Sequence, residues 1–268
     1  MRTEAADAAA TQPALEWLTA ATTLLARVAA SQGEAIETAS QWSADAIAAD
    51  GLVHLFGTGH SRIPVEEMFP RYGSYPGFNP MVELSMTFHT QVVGSNGQRQ
   101  AMFIERMPGL AEAILSNFEF LPTDVLIVFS ASGLTAVPIE MATGARSRGL
   151  TVVAVTSVAQ SMAGDATHPA GRLLDNADIV LDLGTPAGDA LVTIDGLDTP
   201  VAPGSTIAAV ALVNEIKAQT AELLVERGAM PPVLTSAAVV GKEASARLFD
   251  AAYAEHARRY ARSLRGAS

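Results

Sequence analysis

Runs of adjacent apolar residues alternate along this chain with segments whose apolar residues return every three or four positions. Val125 to Phe129 is the clearest run, five apolar residues between Asp124 and Ser130. A run of that length bounded by turn signals suits a strand buried on both faces. Leu52 to Phe56, Met81 to Leu84, Leu150 to Thr156 and Ile179 to Leu183 read the same way. Between them lie helical patterns. Leu15, Leu18, Thr22, Leu25 and Val28, then Ile36, Ala39, Ser43 and Ile47 beyond Gly33, predict one long helix or two short ones up to Asp50. A helix start follows Arg62, Phe103 to Phe118 forms an amphipathic helix with Pro108 near its start, and a further helix opens at Ala136. Strands alternating with helices imply a parallel sheet covered on both faces.

The second half departs from this rhythm once. Asp189 to Asp195 alternates apolar and polar residues, and Gly196 to Gly204 is rich in turn formers, so a small hairpin should stand outside the main sheet. Ser205-Thr206 then caps a long helix over Ile207 to Arg227, ended by Gly228. Its apolar positions almost encircle it, which places it between layers or subunits. The chain divides into residues 1–12, expected to be disordered, one domain over 13–230, and a tail over 231–268. The tail should pack on the domain or on a partner subunit. Its helix, Lys242 to Leu264, carries Arg258, Arg259 and Arg262, with Arg265 just beyond, and reads as a solvated basic end. Thr87 to Gln100 is too long and polar for a simple turn and suggests a lid or an insertion.

Composition narrows the class. The 268 residues are 49% hydrophobic, enough for a substantial core, and contain no cysteine, which fits a reducing cytoplasm. Neither an apolar leader nor a membrane-length apolar run is present. The net charge of −11 argues against a nucleic-acid groove built on general basicity. It does not exclude a local anion site.

Two loops carry the candidate chemistry. Ser130-Ala-Ser-Gly-Leu-Thr135 joins a buried strand to a helix start, where unpartnered amides and the helix dipole favour an anion. Its hydroxyls add donors for phosphate oxygens, although serines also gather at such turns simply as helix caps. Gly57-Thr-Gly-His-Ser61 follows the first strand, and its glycines permit close backbone approach. Arg62 stands where a dinucleotide fingerprint needs its third glycine. There is no Gly-Lys-Ser/Thr phosphate loop and no G-x-S-x-G elbow. The five histidines are scattered, so neither a metal site nor a cofactor is indicated.

Together the loops resemble those of the SIS (sugar isomerase) domain family, which has G-x-G-x-S after its first strand and S-x-S-G-x-T/N after its third. The resemblance runs from about Ile36 to Arg227. With Glu66-Glu67, Asn79-Pro80, His89, Gly188-Asp189 and Glu226-Arg-Gly-Ala-Met-Pro-Pro232, the chain is similar to the uncharacterised UPF0309 subfamily. The resemblance implies a three-layer αβα sandwich of flavodoxin-like order with a five-stranded parallel sheet. It also implies a phosphosugar ligand and a homodimer or homotetramer. Carried over residue by residue, Ser61, Ser130, Ser132 and Thr135 should hold the phosphate, with the amides of Gly133 and Leu134 and the close approach allowed by Gly59.

Aldose–ketose isomerisation needs a base that moves a proton between two carbons and a group that opens the ring. The candidates are Glu83, His60, His89 and Glu215. Glu83 follows a predicted strand, where ligands gather in open α/β sheets, but solvated strand ends also carry Glu. His60 sits inside the glycine loop and His89 in the lid. His54 alternates into a strand interior and suits a satisfied core residue. Glu215 lies on the long helix, which often supplies acid–base groups in this family; a Glu215–Lys217 surface pair is the plainer reading. Arg62 and Arg71 would pair either with phosphate or with Glu66 and Glu67. An enzyme, a phosphosugar sensor and an amino-sugar phosphate lyase all remain compatible with these residues.

Overall fold

The computed structural model describes residues 13–87 and 97–264. The disorder expected of residues 1–12, His89 in the segment read as a lid, and Arg265 all fall outside the described residues. The N-terminal pattern resolves into two helices, α1 (Pro13–Ser31) and α2 (Gly33–Ala48). Then come β1 (Val53–Gly57), a 3-10 turn at Gly59–Arg62, α3 (Ile63–Met68) and β2 (Phe78–Met81). The amphipathic stretch expected as one helix is two, α4 (Gly97–Ile104) and α5 (Leu110–Leu115). Gly109, at φ +85°, breaks it just after Pro108. β3 (Val125–Phe129), α6 (Ala136–Ser147), β4 (Thr151–Thr156), α7 (Val158–Ala163) and β5 (Ile179–Asp182) complete the main domain.

The five strands pair parallel in the order β2-β1-β3-β4-β5. This is the flavodoxin-like order of a doubly wound sheet, and it matches the expected αβα sandwich. Strand residues alternate between two cores. Leu55, Ile127, Phe129 and Val155 meet α1, α2 and α8 on one face; Phe56, Leu126, Val128 and Ala154 meet α5 and α6 on the other. β6 (Ala190–Val192) and β7 (Val201–Pro203) form the separate antiparallel hairpin, followed by α8 (Ser205–Glu226).

The tail holds α9 (Ala237–Val240) and α10 (Lys242–Ser263). In this chain α10 packs on its own domain; Arg258 and Arg262 stay exposed, as a solvated end would have them, whereas Arg259 does not. Arg259 is 6% exposed and donates to the carbonyls of Ile47 and Gly51, both at 2.9 Å. Those carbonyls lie at the end of α2, so the arginine supplies an external C-cap. Arg258 and Arg262 bind Asp50, whose carboxyl they hold well below the usual carboxylate range, Arg258 most of all.

Candidate functional site

The last residues of β1 and β3 are register partners, Gly57 opposite Phe129. Both chemistry-bearing loops therefore leave the C-terminal edge of the sheet side by side, where ligands gather in this architecture. The first loop turns at once. Ser61 N–H donates to Thr58 O at 3.0 Å, and Gly59 sits at φ +55°. In the second loop Ser130 N–H continues the ladder to Val155 O, and Ser157 N–H donates to Ala131 O, both at 3.0 Å. Gly133, at φ +62°, accepts from Leu173 N–H at 2.9 Å.

Between the loops and the start of α8 lies a cavity of about 300 Å³. That is the lower end of small-molecule sites. Of the expected residues, His60, Ser61 and Ser130 line it. Phe129, Val155 and Leu183, from the ends of β3, β4 and β5, give it an apolar floor. Ser132, Leu134 and Thr135 follow in the same loop. Thr135 occupies the N-cap of α6 without a side-chain cap hydrogen bond, so helix capping does not account for its hydroxyl. The Gly133 amide, expected at the phosphate, donates to Ser130 Oγ at 3.2 Å within the loop.

Two expected carboxylates are placed elsewhere. Glu83 accepts from Ser85 N–H at 3.0 Å and Ser85 Oγ at 2.8 Å, capping a short 3-10 turn. Glu215 is exposed on α8. Neither is among the described residues lining the cavity. Lys217 does not pair with Glu215 at the surface; it is buried and donates to Glu67 O at 3.0 Å. Arg62 and Arg71 lie against Glu66 and Glu67, one helical turn away.

The structure brings in groups that pattern reading passed over. Asp189, Ser205 and Thr206 line the same cavity as Ser61 and Ser130. Ser205 was expected to cap α8. Instead Gly204 is the N-cap, and Asp189 accepts from the amides of Gly204 at 3.2 Å and Ser205 at 2.7 Å. The second addition is Glu105, just beyond α4. Its side chain is 17% exposed and accepts from Thr58 Oγ1 at 2.7 Å. Its carbonyl accepts from Val137 N–H, in the first turn of α6, at 3.0 Å. Glu105 thus bonds to the first loop and to the helix that follows the second. Burial raises the Glu105 carboxyl above the ordinary glutamate range, against smaller lowering effects of Thr58 and Arg106.

That shift has a measurable consequence. A carboxyl raised in the folded state binds protons more tightly there than in the unfolded chain, so its contribution is fully present below the unfolded value of about 4.5. It is lost as pH rises through the folded value. Glu105→Gln should therefore flatten the stability–pH curve just above pH 4.5. Chemical denaturation across pH 4 to 7 checks this, and superimposable curves for the two proteins would contradict it.

The SIS domain model matches residues 16–157, which hold both loops and the first four strands. The chain belongs to the SIS domain family. Within this family it is 36% identical over 231 residues to a UPF0309 protein of Streptomyces coelicolor, covering 86% of this chain and 90% of that protein. It is 32% identical over 222 residues to a UPF0309 protein of Listeria monocytogenes, covering 82% and 87%. Among solved structures, phosphoheptose isomerase from Neisseria gonorrhoeae overlays with a TM-score of 0.48 at 15% identity, covering 76% of this chain and 94% of that one. In this SIS chain no described helix is long and apolar enough to cross a membrane. No cluster of potential metal ligands occurs among the described residues.

Proposed function

We propose that this chain binds a phosphorylated sugar in the cavity at the sheet edge and interconverts its aldose and ketose forms. The observation that carries the reading is the pairing of Gly57 with Phe129, which delivers Ser61 and Ser130 to one cavity. The phosphate rests against those hydroxyls and the start of α6, where donors and helix dipole act together. The sugar chain then lies toward His60. Membership of the SIS family supports the ligand class.

The proton chemistry falls to His60, which lines the cavity, and to a carboxyl; the candidate is Glu105, bonded to Thr58 of the same loop though not itself among the lining residues. A carboxyl raised by burial is a better base than an ordinary one, since its affinity for the proton moves toward the working pH. It takes the proton from one carbon, leaving an enediolate, and returns it to the neighbouring carbon. His60 moves the second proton between the two oxygens.

The test is incubation with a panel of sugar phosphates in D₂O. Deuterium entering C1 or C2 is the expected result. Tight binding without exchange would indicate a sensor, and loss of an ether substituent would indicate a lyase. Ser130→Ala bears on the phosphate contact itself. A hydrogen bond to a charged group contributes about 1.5–3 kcal/mol, so the dissociation constant should rise about tenfold or more. Calorimetric titration measures this, and an unchanged constant would remove Ser130 from the phosphate site.

A further inference from the structure

Thr58 stands at the start of the first loop, directly after β1, and is 7% exposed. It is the N-cap residue of the 3-10 turn at Gly59–Arg62, where a threonine hydroxyl commonly bonds back to the turn. Here the side chain makes no cap hydrogen bond. Its Oγ1 donates instead to Glu105 Oε2 at 2.7 Å, across 47 residues of chain.

Both ends of this bond are anchored. The Thr58 carbonyl accepts from Ser61 N–H at 3.0 Å, and a β-branched side chain has little χ1 freedom. Glu105 N–H donates to Ala101 O in the last turn of α4, and its carbonyl accepts from Val137 N–H, both at 3.0 Å. The second carboxyl oxygen, Oε1, lies 3.6 Å from Arg106 Nη1, beyond hydrogen-bond length, and that arginine is largely exposed. One oxygen is thus pinned, and the other keeps its acceptor capacity.

We propose that Thr58 is a positioning residue for the proton transfer: its hydroxyl fixes Oε2 of Glu105 and leaves Oε1 to take the proton from one sugar carbon and return it to the next. This rests on the isomerase reading given above and adds to it the group that orients the base. A base held in one orientation is more effective than a mobile one, because the reacting atoms must meet within a narrow geometry. The same bond favours the ionised carboxyl and so counters the burial that raises it. Without the hydroxyl, Glu105 would keep its proton to a higher pH.

Thr58→Val tests this, since it keeps the branched shape and removes the donor. The readout is the pH profile of deuterium exchange, whose acidic limb reports ionisation of the base. Glu105→Gln, which lacks the base, should lose exchange throughout. In Thr58→Val the limb should move up by about one pH unit or more, the loss of a hydrogen bond to a charged group being of that order. Its kcat should fall about tenfold with KM changed by no more than about twofold, because Thr58 does not line the cavity. Thr58→Ser retains the hydroxyl and should restore both. A merely structural role would lower Tm in Thr58→Val and leave the limb in place. An unmoved limb, a Thr58→Ser limb displaced as far as that of Thr58→Val, or exchange retained in Glu105→Gln would each overturn the proposal while isomerisation stands. If the folded wild-type protein exchanges no deuterium into any sugar phosphate, the isomerase reading fails, and this inference with it. Should Thr58→Val not fold, Thr58→Ala removes the same donor and is held to the same outcomes.

Discussion

Gly57→Ala is expected to suppress sugar-phosphate turnover about a hundredfold, the order that a misplacement of roughly 1 Å produces. A Cβ on Gly57 would lie 2.1 Å from the carbonyl oxygen of Ser61 and 2.6 Å from its carbonyl carbon. Both are backbone atoms, so no side chain can swing aside. The turn must open, breaking the bond from Ser61 N–H to Thr58 O and moving His60 and Ser61 away from Ser130. Overpacking of this kind also lowers stability by about 1–3 kcal/mol. Gly33→Ala makes a suitable control, because nothing lies within 4 Å of its added Cβ. Deuterium exchange at C1 and C2 is the readout. A folded Gly57→Ala protein with wild-type exchange would show that the first loop takes no part in the site.

Asp124→Ala is expected to be the most destabilising substitution away from the cavity. Asp124 is 2% exposed and anchors a polar knot at the opposite, N-terminal end of the sheet. Its Oδ1 accepts from Leu52 N–H at 2.7 Å, and its Oδ2 accepts from Leu121 N–H at 2.9 Å. Oδ2 also lies 3.2 Å from His54 Nε2, while Asn79 Nδ2 lies 3.0 Å from His54 Nδ1. β1, β2 and the lead-in to β3 are thereby tied together, with Phe120 edge-on to the His54 ring at 5.0 Å. Truncation leaves two buried donors, Leu52 N–H and the His54 ring, without an acceptor, and a third, Leu121 N–H, on an exposed residue. At about 1–3 kcal/mol each, with partial relaxation, the loss comes to about 4 kcal/mol. For a chain of this size that lowers Tm by about 10 °C. Asp124→Asn retains one acceptor oxygen and should lose less. Scanning calorimetry gives the answer, and a shift below about 2 °C would mean that the knot contributes little. Ligand affinity of the folded variant should not change, since the cavity lies at the other end of the strands.

His54 shows what the sequence could convey. Its alternation into a strand interior marked it as a core residue, and it is one, fully buried and bonded on both ring nitrogens. The knot that holds it was not legible, because its partners come from 25 and 70 residues away. β2 illustrates the same limit. Asn79 and Pro80 are residues that turns favour, so the pattern places the strand at Met81 and beyond, whereas β2 spans Phe78–Met81. Yet β2 is an edge strand, which tolerates proline, and the buried Asn79 is satisfied by His54.

The site divides in the same way. His60, Ser61 and Ser130 were legible because a glycine- or serine-rich loop after a buried strand is a local signal. Glu105 looked like one more polar position on an amphipathic helix, and only the contact with Thr58, 47 residues earlier, makes it a buried carboxyl. Gly188-Asp189 was visible as a feature of similar sequences, but without a role until the hairpin carried it onto the start of α8.

By itself the sequence determined four of the five strands, the outlying hairpin and the two loops rich in glycine and serine. These follow from periodicity and turn chemistry, which act between neighbours along the chain. Only the tertiary structure decided which carboxylates are buried, which helix ends are capped from afar, and how the C-terminal arginines are held. Those outcomes depend on the environment of a polar group, and that environment is assembled from segments the chain brings together only on folding.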